Sequence, residues 1–227
     1  MPIALLSQTS LFAGLSPQQI AALLTLLQPV RRSCFTGEIL LERGQPCPCL
    51  GLVLSGQAEL QRSLPDGSCV PLGRLGPGDL FGEALTCAGV PSPVTVRMQR
   101  TGEVLLLDRA RFFLPQVQAD PAGQLLLRNL LAGVSRKYCT LLEQLELLTL
   151  KSLRSKICTY LLRCAARAGA DTFSVPHSRA ELAAYLGCDR SALSRELSHM
   201  QAEGYLETYK NSFKILDRPR MEHLGLA

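Results

Sequence analysis

Residues 178–203 read SRAELAAYLGCDRSALSRELSHMQAE, and their pattern decides the fold of the C-terminal part of the chain. Ser178 and Glu181 have the spacing of a capping box, which predicts the start of a helix. Gly187 predicts the end of that helix, and Asp189 can cap a second one. Two short helices joined by a turn that contains glycine form a helix-turn-helix.

The second of these helices has the side chains of a DNA reader near its N-terminal end. They are Arg190, Ser191, Ser194 and Arg195. This is the part of a recognition helix that enters the major groove. Arginine can donate two hydrogen bonds to guanine O6 and N7, and serine can bond a base or a phosphate. A helical hairpin with a solvated polar face is the alternative, but the capping box, glycine turn and arginines together favour DNA binding.

Two alternating segments, residues 204–209 and 213–217, follow this helix and predict a wing. Lys210 and Lys214 are expected to lie against phosphates, which gives salt-sensitive affinity without sequence preference.

Composition and charge agree with a globular protein that has a polyanionic partner. The 227 residues and 47% hydrophobic content suit two modest domains. The net charge of +5 lies mainly in residues 151–227, which contain 12 Lys and Arg and 8 acidic residues.

No apolar run reaches the roughly 20 residues that span a membrane, and no signal peptide is evident. We therefore expect a cytoplasmic protein with no membrane partner.

The N-terminal part of the sequence has the pattern of a small β-domain. Ser16 and Pro17 predict a short helical lead-in. From residue 33 to about residue 108, β-type runs alternate with turns such as Pro65-Asp66-Gly67 and Gly76-Pro77-Gly78. Regular turns at this spacing predict an antiparallel barrel or sandwich.

A long helix is predicted after Pro121. Seven apolar residues follow one another at alternating spacings of four and three, and we call them the seam: Leu127, Leu131, Val134, Tyr138, Leu141, Leu145 and Leu148. Such a 3.5-residue repeat is typical of a helix that pairs with another helix. A helix packed on its own β-domain is the alternative, but it usually has a wider apolar stripe. The pattern therefore favours a homodimer. A further helix is predicted from about Lys151 to Gly169.

The order of these elements resembles the Crp/Fnr transcription regulators over about residues 9–217. The strongest likeness is SRAELAAYLGCDRSALSREL, and GLVLSGQAEL, GPGDLFGEAL and SPVTVRMQRTGEVLLLD are similar to the family's roll and cradle. The resemblance implies an α+β fold with a double-stranded β-roll (a cupin-like jelly roll) in residues 1–120, a dimerisation helix in 121–149 and a winged helix-turn-helix in 150–227. It implies a homodimer on a pseudo-palindromic double-stranded DNA operator, with RNA polymerase as a partner if the protein activates. The alternative is an effector-binding module that acts through protein contacts and has degenerate DNA binding.

The resemblance also implies roles for single residues. Arg190 and Arg195 match base-reading arginines, Ser194 matches a base-contacting serine, and Arg179 matches a phosphate contact. Many relatives have glutamate in place of Ser191, so no known operator sequence is carried over. The predicted DNA contacts are Ser178, Arg179, Arg190, Ser191, Ser194, Arg195, His199, Lys210 and Lys214.

The cradle around FGEALTCAGVPSPVTVRM (residues 81–98) predicts the type of signal. In relatives that bind cyclic AMP, a glutamate after a glycine holds the ribose and a later arginine neutralises the phosphate. Gly82 and Glu83 are present, but Pro93 stands at the position of the arginine. Without it a buried phosphate loses charge-assisted hydrogen bonds, so cyclic AMP is disfavoured. An uncharged or carboxylate organic effector is expected in a pocket formed by Gly82, Glu83, Ala84, Leu85, Pro93, Val94, Thr95, Leu130 and Val134.

Nine scattered cysteines do not form a disulfide framework. The pair Cys47 and Cys49 falls short of the roughly four ligands of a metal site, and is interpreted as a surface turn before a strand. The first 33 residues contain no cysteine and the roll contains no histidine, so neither an iron–sulfur cluster nor a histidine-ligated haem is expected. No catalytic constellation is evident, so no enzyme is expected. A thiol redox switch stays open at Cys34, Cys47, Cys49, Cys69 and Cys87.

Overall fold

The computed structural model describes residues 3–64 and 69–225. Contacts within the chain divide it into two compact units, Met1–Arg136 and Lys137–Ala227. An antiparallel sheet comes first, a long helix follows, and a winged helix-turn-helix comes last, so the predicted α+β class is confirmed. Among the described residues, no helix is both long and apolar enough to cross a bilayer.

The first unit consists of short helices, a sheet and the start of the long helix. Its elements are α1 (Ile3–Leu6), α2 (Pro17–Leu27), β1 (Val30–Cys34), β2 (Ile39–Leu41), β3 (Cys49–Ser63), β4 (Cys69–Leu75), β5 (Leu80–Phe81), α3 (Glu83–Ala88), β6 (Thr95–Asp108), α4 (Arg109–Phe112), α5 (Pro115–Ala119) and α6 (Pro121–Thr149). Helix α2 begins with the capping box that Ser16 forms with Gln19. The predicted turn at Pro65-Asp66-Gly67 lies outside the described residues.

The sheet is antiparallel and has the strand order β1-β6-β3-β4, with β2 on β6 and β5 on β3. Its long central pair runs from Cys49 opposite Asp108 to Gln61 opposite Thr95. Side chains of a strand alternate between its two faces. Leu50, Leu52 and Leu54 therefore face a core shared with the helices, whereas Val53 faces the interior of the roll.

Helix α6 begins in the first unit and ends in the second. Near its start, Leu126 and Leu130 are buried in the helical core of the first unit. Near its end, Leu147 is buried in the core of the second unit. One stripe of the helix is thus occupied by the chain's own cores.

The buried apolar residues described for the second unit form one core cluster. The remaining elements of this unit are α7 (Leu153–Ala168), β7 (Thr172–Ser174), α8 (Arg179–Leu186), α9 (Arg190–Ala202), β8 (Leu206–Tyr209), β9 (Ser212–Ile215) and α10 (Arg218–Gly225). Helix α7 begins after Ser152 and ends at Gly169, close to the predicted bounds. The three strands form an antiparallel sheet in the order β7-β9-β8. Helix α10 was missed by the sequence reading, although its Met221 is fully buried.

Candidate DNA-reading face and effector cradle

The turn between α8 and α9 has the geometry that the sequence predicts. Ser178 Oγ accepts from the Glu181 amide at 3.3 Å, and Glu181 Oε2 accepts from the Ser178 amide at 2.8 Å. Gly187 ends α8 with a φ of +67°, and a Cβ there would come within 2.8 Å of Leu148 Cδ2. The left-handed φ favours glycine here, and a larger residue would also have to displace the end of the Leu148 side chain. Asp189 occupies the N-cap position of α9, but its side chain makes no capping hydrogen bond.

Helix α9 presents two different faces. Leu193, Leu197 and Met200 are buried in the core of the unit. The opposite side is exposed over Arg190, Ser191, Ser194, Arg195 and His199. Within residues 3–64 and 69–225, neither the Arg190 nor the Arg195 guanidinium takes part in an ion pair, so both are available to a ligand.

The wing is formed by β8 and β9, which turn at Lys210 with a φ of +53°. The Lys210 ammonium lies 5.5 Å from the centroid of the Tyr209 ring and remains exposed. Lys214 is less free than expected, because its Nζ lies 3.5 Å from Glu207 Oε2 on the neighbouring strand. The strand register places these two residues opposite each other.

Arg179 joins α8 to the wing. Its Nη2 donates to Thr208 Oγ1 at 2.6 Å, and the guanidinium lies 4.9 Å from the centroid of the Phe213 ring. Burial lowers the pKa of Arg179 from its ordinary value. The predicted phosphate contact is thus a half-buried residue that already has partners in the protein.

The cradle helix α3 begins at Gly82, which has a φ of +75°. A Cβ at Gly82 would come within 2.8 Å of Cys47 Sγ, so the backbone can approach this thiol only with glycine here. Glu83 follows and is only 5% exposed, Ala84 is exposed, and Leu85 packs against the roll interior.

The corner at the other side of the cradle is held by a buried serine. Ser92 Oγ donates to the Val94 carbonyl at 2.7 Å and accepts from the Val94 amide at 3.3 Å. Pro93 is exposed, and Thr95 Oγ1 accepts from the Arg43 amide at 3.3 Å.

The two α6 residues predicted for the effector pocket are placed differently. Val134 is half-buried, whereas Leu130 is only 6% exposed and packs in the helical core of the first unit. The cradle residue Leu85 packs in the separate cluster inside the roll. Leu130 is therefore not an open pocket wall, because the chain's own leucines already cover it.

The seam of α6 is largely uncovered. Leu131, Tyr138, Leu141 and Leu145 are 58–68% exposed, and Leu148 is 41% exposed. Leu127 and Val134 are half-buried, and Leu127 packs against the helical core of the first unit.

Known proteins match both halves of this architecture. The family model described as a cyclic nucleotide-binding domain matches residues 31–113, and the Crp-like helix-turn-helix domain matches residues 155–224. The cyclic AMP receptor protein of Thermus thermophilus is 30% identical over 220 residues, which cover 96% of this chain and 98% of that protein. The CRP-like cAMP-activated global transcriptional regulator of Mycobacterium tuberculosis is 27% identical over 222 residues, or 96% of each chain. The crystal structure of the Thermus thermophilus catabolite activator protein has a TM-score of 0.52 at 26% identity, covering 96% of this chain and 99% of that one.

The chain belongs to the Crp/Fnr family of transcription regulators.

Membership of the Crp/Fnr family makes the C-terminal unit a DNA-binding domain and the chain a regulator of transcription. The sequence resemblance is thereby confirmed. The capping box and the glycine turn of the helix-turn-helix could be predicted from the sequence, because caps and turns depend on residues that are close together in the chain.

One set of residues that the sequence reading missed holds the recognition helix in place. Arg154 on α7 donates from Nε to Glu196 at 2.5 Å, and its two other nitrogens donate to Glu203 at 2.8 and 2.9 Å. The hydrogen bonds to Glu203 and Glu196 raise the pKa of Arg154, and the bond from Arg154 lowers the pKa of Glu203. We call these three residues the α7–α9 clamp. No local spacing in the sequence predicts this clamp, since both partners of Arg154 lie more than 40 positions away.

A second missed cluster lies just before α8. The distance from Tyr160 Oη to His177 Nδ1 is 2.9 Å, and the Tyr185 ring lies 5.2 Å from the His177 ring. Burial lowers the pKa of His177, an effect that nearby Glu181 opposes, and burial raises the pKa of Tyr160.

The cysteines are all free thiols. The interpretation of Cys47 as part of a surface turn is wrong, because its side chain is 8% exposed and Sγ lies 3.3 Å from Thr86 Oγ1. Burial raises the pKa of the Cys34, Cys49 and Cys87 thiols. In the part of the chain that the structure describes, no group of three or more His, Cys, Asp or Glu could hold a metal ion.

Proposed function

We propose that this chain forms a homodimer that recognises a pseudo-palindromic DNA operator in the cytoplasm and changes transcription in response to an effector other than cyclic AMP. The observation that carries the DNA-reading part is the exposed start of α9. Arg190 and Arg195 are exposed there, in the motif position that enters the major groove, and neither guanidinium takes part in an ion pair with any residue that the structure describes. Ser191 and Ser194 lie between them.

The proposed DNA contacts fall into two classes. Arg190, Ser191, Ser194 and Arg195 would read base edges, where a fork of two hydrogen bonds distinguishes guanine. Ser178, Arg179, His199, Lys210 and Lys214 would contact phosphates, which position the protein without reading sequence. Arg179 and Lys214 would first have to leave or share their present partners, so we assign the larger phosphate contribution to Lys210.

The exposed seam supports the proposed homodimer. Leu131, Tyr138, Leu141 and Leu145 form a continuous apolar row along one side of α6. A contiguous exposed apolar surface of this kind marks an interaction site. A second copy of α6 fits it, because the seam repeats every 3.5 residues and two such helices interlock. The functional parts would then be a sensing roll (1–120), a dimerisation helix (121–149) and a DNA-binding domain (150–227).

The cradle supports an effector without a phosphate. The relatives from Thermus thermophilus and Mycobacterium tuberculosis are named for cyclic AMP. This chain keeps Gly82 and Glu83, but its exposed Pro93 offers no positive charge to a phosphate. An uncharged organic molecule therefore fits the cradle better than a cyclic nucleotide.

A redox signal is the weaker of the two proposed inputs. A reactive thiol needs exposure and a lowered pKa. Burial instead raises the pKa of the Cys34, Cys49 and Cys87 thiols. We therefore place the signal at the cradle, where an effector would shift the population of two dimer states that differ in operator affinity. RNA polymerase would be a further partner if the regulator activates.

Selection of DNA sequences from a random double-stranded pool tests the proposal directly. We expect a consensus of two inverted half-sites about one helical turn apart. Sedimentation of the free protein should give a dimer. A single half-site bound by a monomer would contradict the dimer, and a pool without any consensus would contradict base reading by α9.

Calorimetric titration tests the effector assignment. We expect cyclic AMP to give no saturable heat up to about 1 mM, the concentration range of very weak binding. The variant Pro93→Arg is the matched comparison, because it restores a cation at this corner. We expect Pro93→Arg to gain measurable affinity, whereas tight binding of cyclic AMP by the unchanged protein would refute the assignment.

A further inference from the structure

A cavity outside the cradle carries an inference that goes beyond the proposed function. It has a volume of ≈ 480 Å³ and lies between residues 46–48, residues 89–91 and residues 108–113. Small-molecule sites commonly have volumes of about 300–1,000 Å³. None of the residues predicted for the effector pocket lines this cavity.

The walls of the cavity are mostly apolar and are fixed by the backbone. Val90 and Phe113 are 45% and 49% exposed, although both side chains are large and apolar. The Arg109 amide donates to the Pro48 carbonyl at 2.9 Å, which joins the start of α4 to the opposite wall. A flat apolar molecule that contacts Phe113 and Val90 would remove this surface from water, which is favourable.

The polar groups of the cavity favour a negatively charged ligand. A Cβ at Gly89 would come within 2.8 Å of Arg109 Nη1, so the guanidinium lies close to the rim formed by the end of α3. In the described ranges the Arg109 side chain takes part in no ion pair. Asp108 also lines the cavity, but its Oδ1 accepts from the Ala110 amide at 2.8 Å and caps α4. Of these two lining side chains, only Arg109 forms neither an ion pair nor a hydrogen bond with a described residue.

We propose that this cavity, the Arg109 groove, binds a small organic anion whose flat apolar part lies against Phe113 and Val90 and whose carboxylate or sulfonate bonds Arg109. One lining residue, Cys47, also contacts the cradle. Cys47 Sγ lies 3.3 Å from Thr86 Oγ1 and 3.8 Å from the Gly82 carbonyl oxygen. A ligand that moves Cys47 therefore acts on the first turn of α3.

A site-resolved NMR titration of the full chain with 2-naphthoate tests the proposal. The amide resonances of Gly89 and Ala110 should shift saturably, because both residues line the groove. The neutral analogue 2-naphthamide should bind about tenfold more weakly, since it cannot form a charge-assisted pair with Arg109. Sulfate should bind far more weakly than 2-naphthoate, because it has no apolar part.

Two variants and a matched control distinguish binding in the groove from non-specific binding. Arg109→Gln should remove the preference for 2-naphthoate over 2-naphthamide. Arg111→Gln is the matched control, because Arg111 lies on the same helix but donates to Gln28 Oε1 at 2.6 Å and does not line the groove. Phe113→Ser should weaken both naphthalene probes. The proposal is overturned if 2-naphthoate leaves the Gly89 and Ala110 amides unchanged, or if Arg109→Gln keeps the anion preference.

Discussion

Replacement of Arg195 by alanine should separate base reading from folding. The Arg195 side chain is exposed and forms no ion pair in the described residues, so the free energy of unfolding should change by no more than about 0.5 kcal/mol. In the complex, the same change removes a two-bond fork to one guanine. That loss costs about 1–3 kcal/mol per half-site, which is roughly five- to 150-fold in affinity for that half-site.

Fluorescence anisotropy with the selected operator measures this loss. Operators with single base changes are titrated with the unchanged protein and with Arg195→Ala, at several salt concentrations. We expect the variant to become indifferent to one base position in each half-site and to keep its discrimination at the others. The dependence of affinity on salt should stay unchanged, because no phosphate contact is lost.

Lys210→Ala is the matched comparison on the wing. Its loss should weaken all DNA sequences about equally and lower the salt slope by about 0.9 per subunit, as expected for one released counterion contact. If Arg195→Ala instead weakens all sequences equally and lowers the salt slope, Arg195 is a phosphate contact. If it changes neither affinity nor discrimination, α9 is not the recognition helix.

Three other predictions concern the dimer, the α7–α9 clamp and the histidine before α8. Leu141→Glu should weaken the dimer by at least about 3 kcal/mol, as measured by sedimentation, and should abolish operator binding, because the variant buries a charge in the seam. The control variant Thr140→Glu, which lies off the seam, should have neither effect. Arg154→Gln should lower the free energy of urea unfolding by about 1–2 kcal/mol, because Glu196 and Glu203 lose their shared cation. A variant as stable as the unchanged protein would contradict a stabilising role of the α7–α9 clamp. The folded-state pKa of His177 lies below its unfolded value, so the contribution of His177 to stability is present above about pH 6.5 and is lost as the pH falls below that value. His177→Gln should therefore flatten the pH dependence of the free energy of urea unfolding in this range. An unchanged pH dependence would contradict the assignment to His177.

The elements that the sequence predicted well are those specified by neighbouring residues. The capping boxes at Ser16 and Ser178 set the starts of α2 and α8, and Gly187 sets the turn into α9. Their geometry needs only three or four consecutive residues and a left-handed glycine. The exposed Arg190 and Arg195 followed from the same helix, because its core face was readable from the leucine spacing.

The residues that the sequence placed less well depend on contacts between distant segments. Lys214 is paired because the strand register brings Glu207 opposite to it, and Arg179 is held because the wing supplies Thr208. Cys47 is buried because Gly82 leaves room for its sulfur, although 35 positions separate the two residues. Composition and local spacing contain no information on contacts between distant residues. The turn-like sequence around Cys47 therefore predicted an exposed side chain, whereas the fold buries it.

Helix α6 shows why one apolar pattern could support two interpretations. A stripe through Leu126 and Leu130 is buried in the chain's own core, as the alternative of a helix packed on its own β-domain requires. A different stripe through Tyr138, Leu141 and Leu145 stays exposed, as the alternative of a partner helix requires. The two requirements do not compete, because they concern different sides of one helix. The inner stripe explains why α6 is ordered in a single chain, and the outer stripe is the reason to expect that the chain does not remain single.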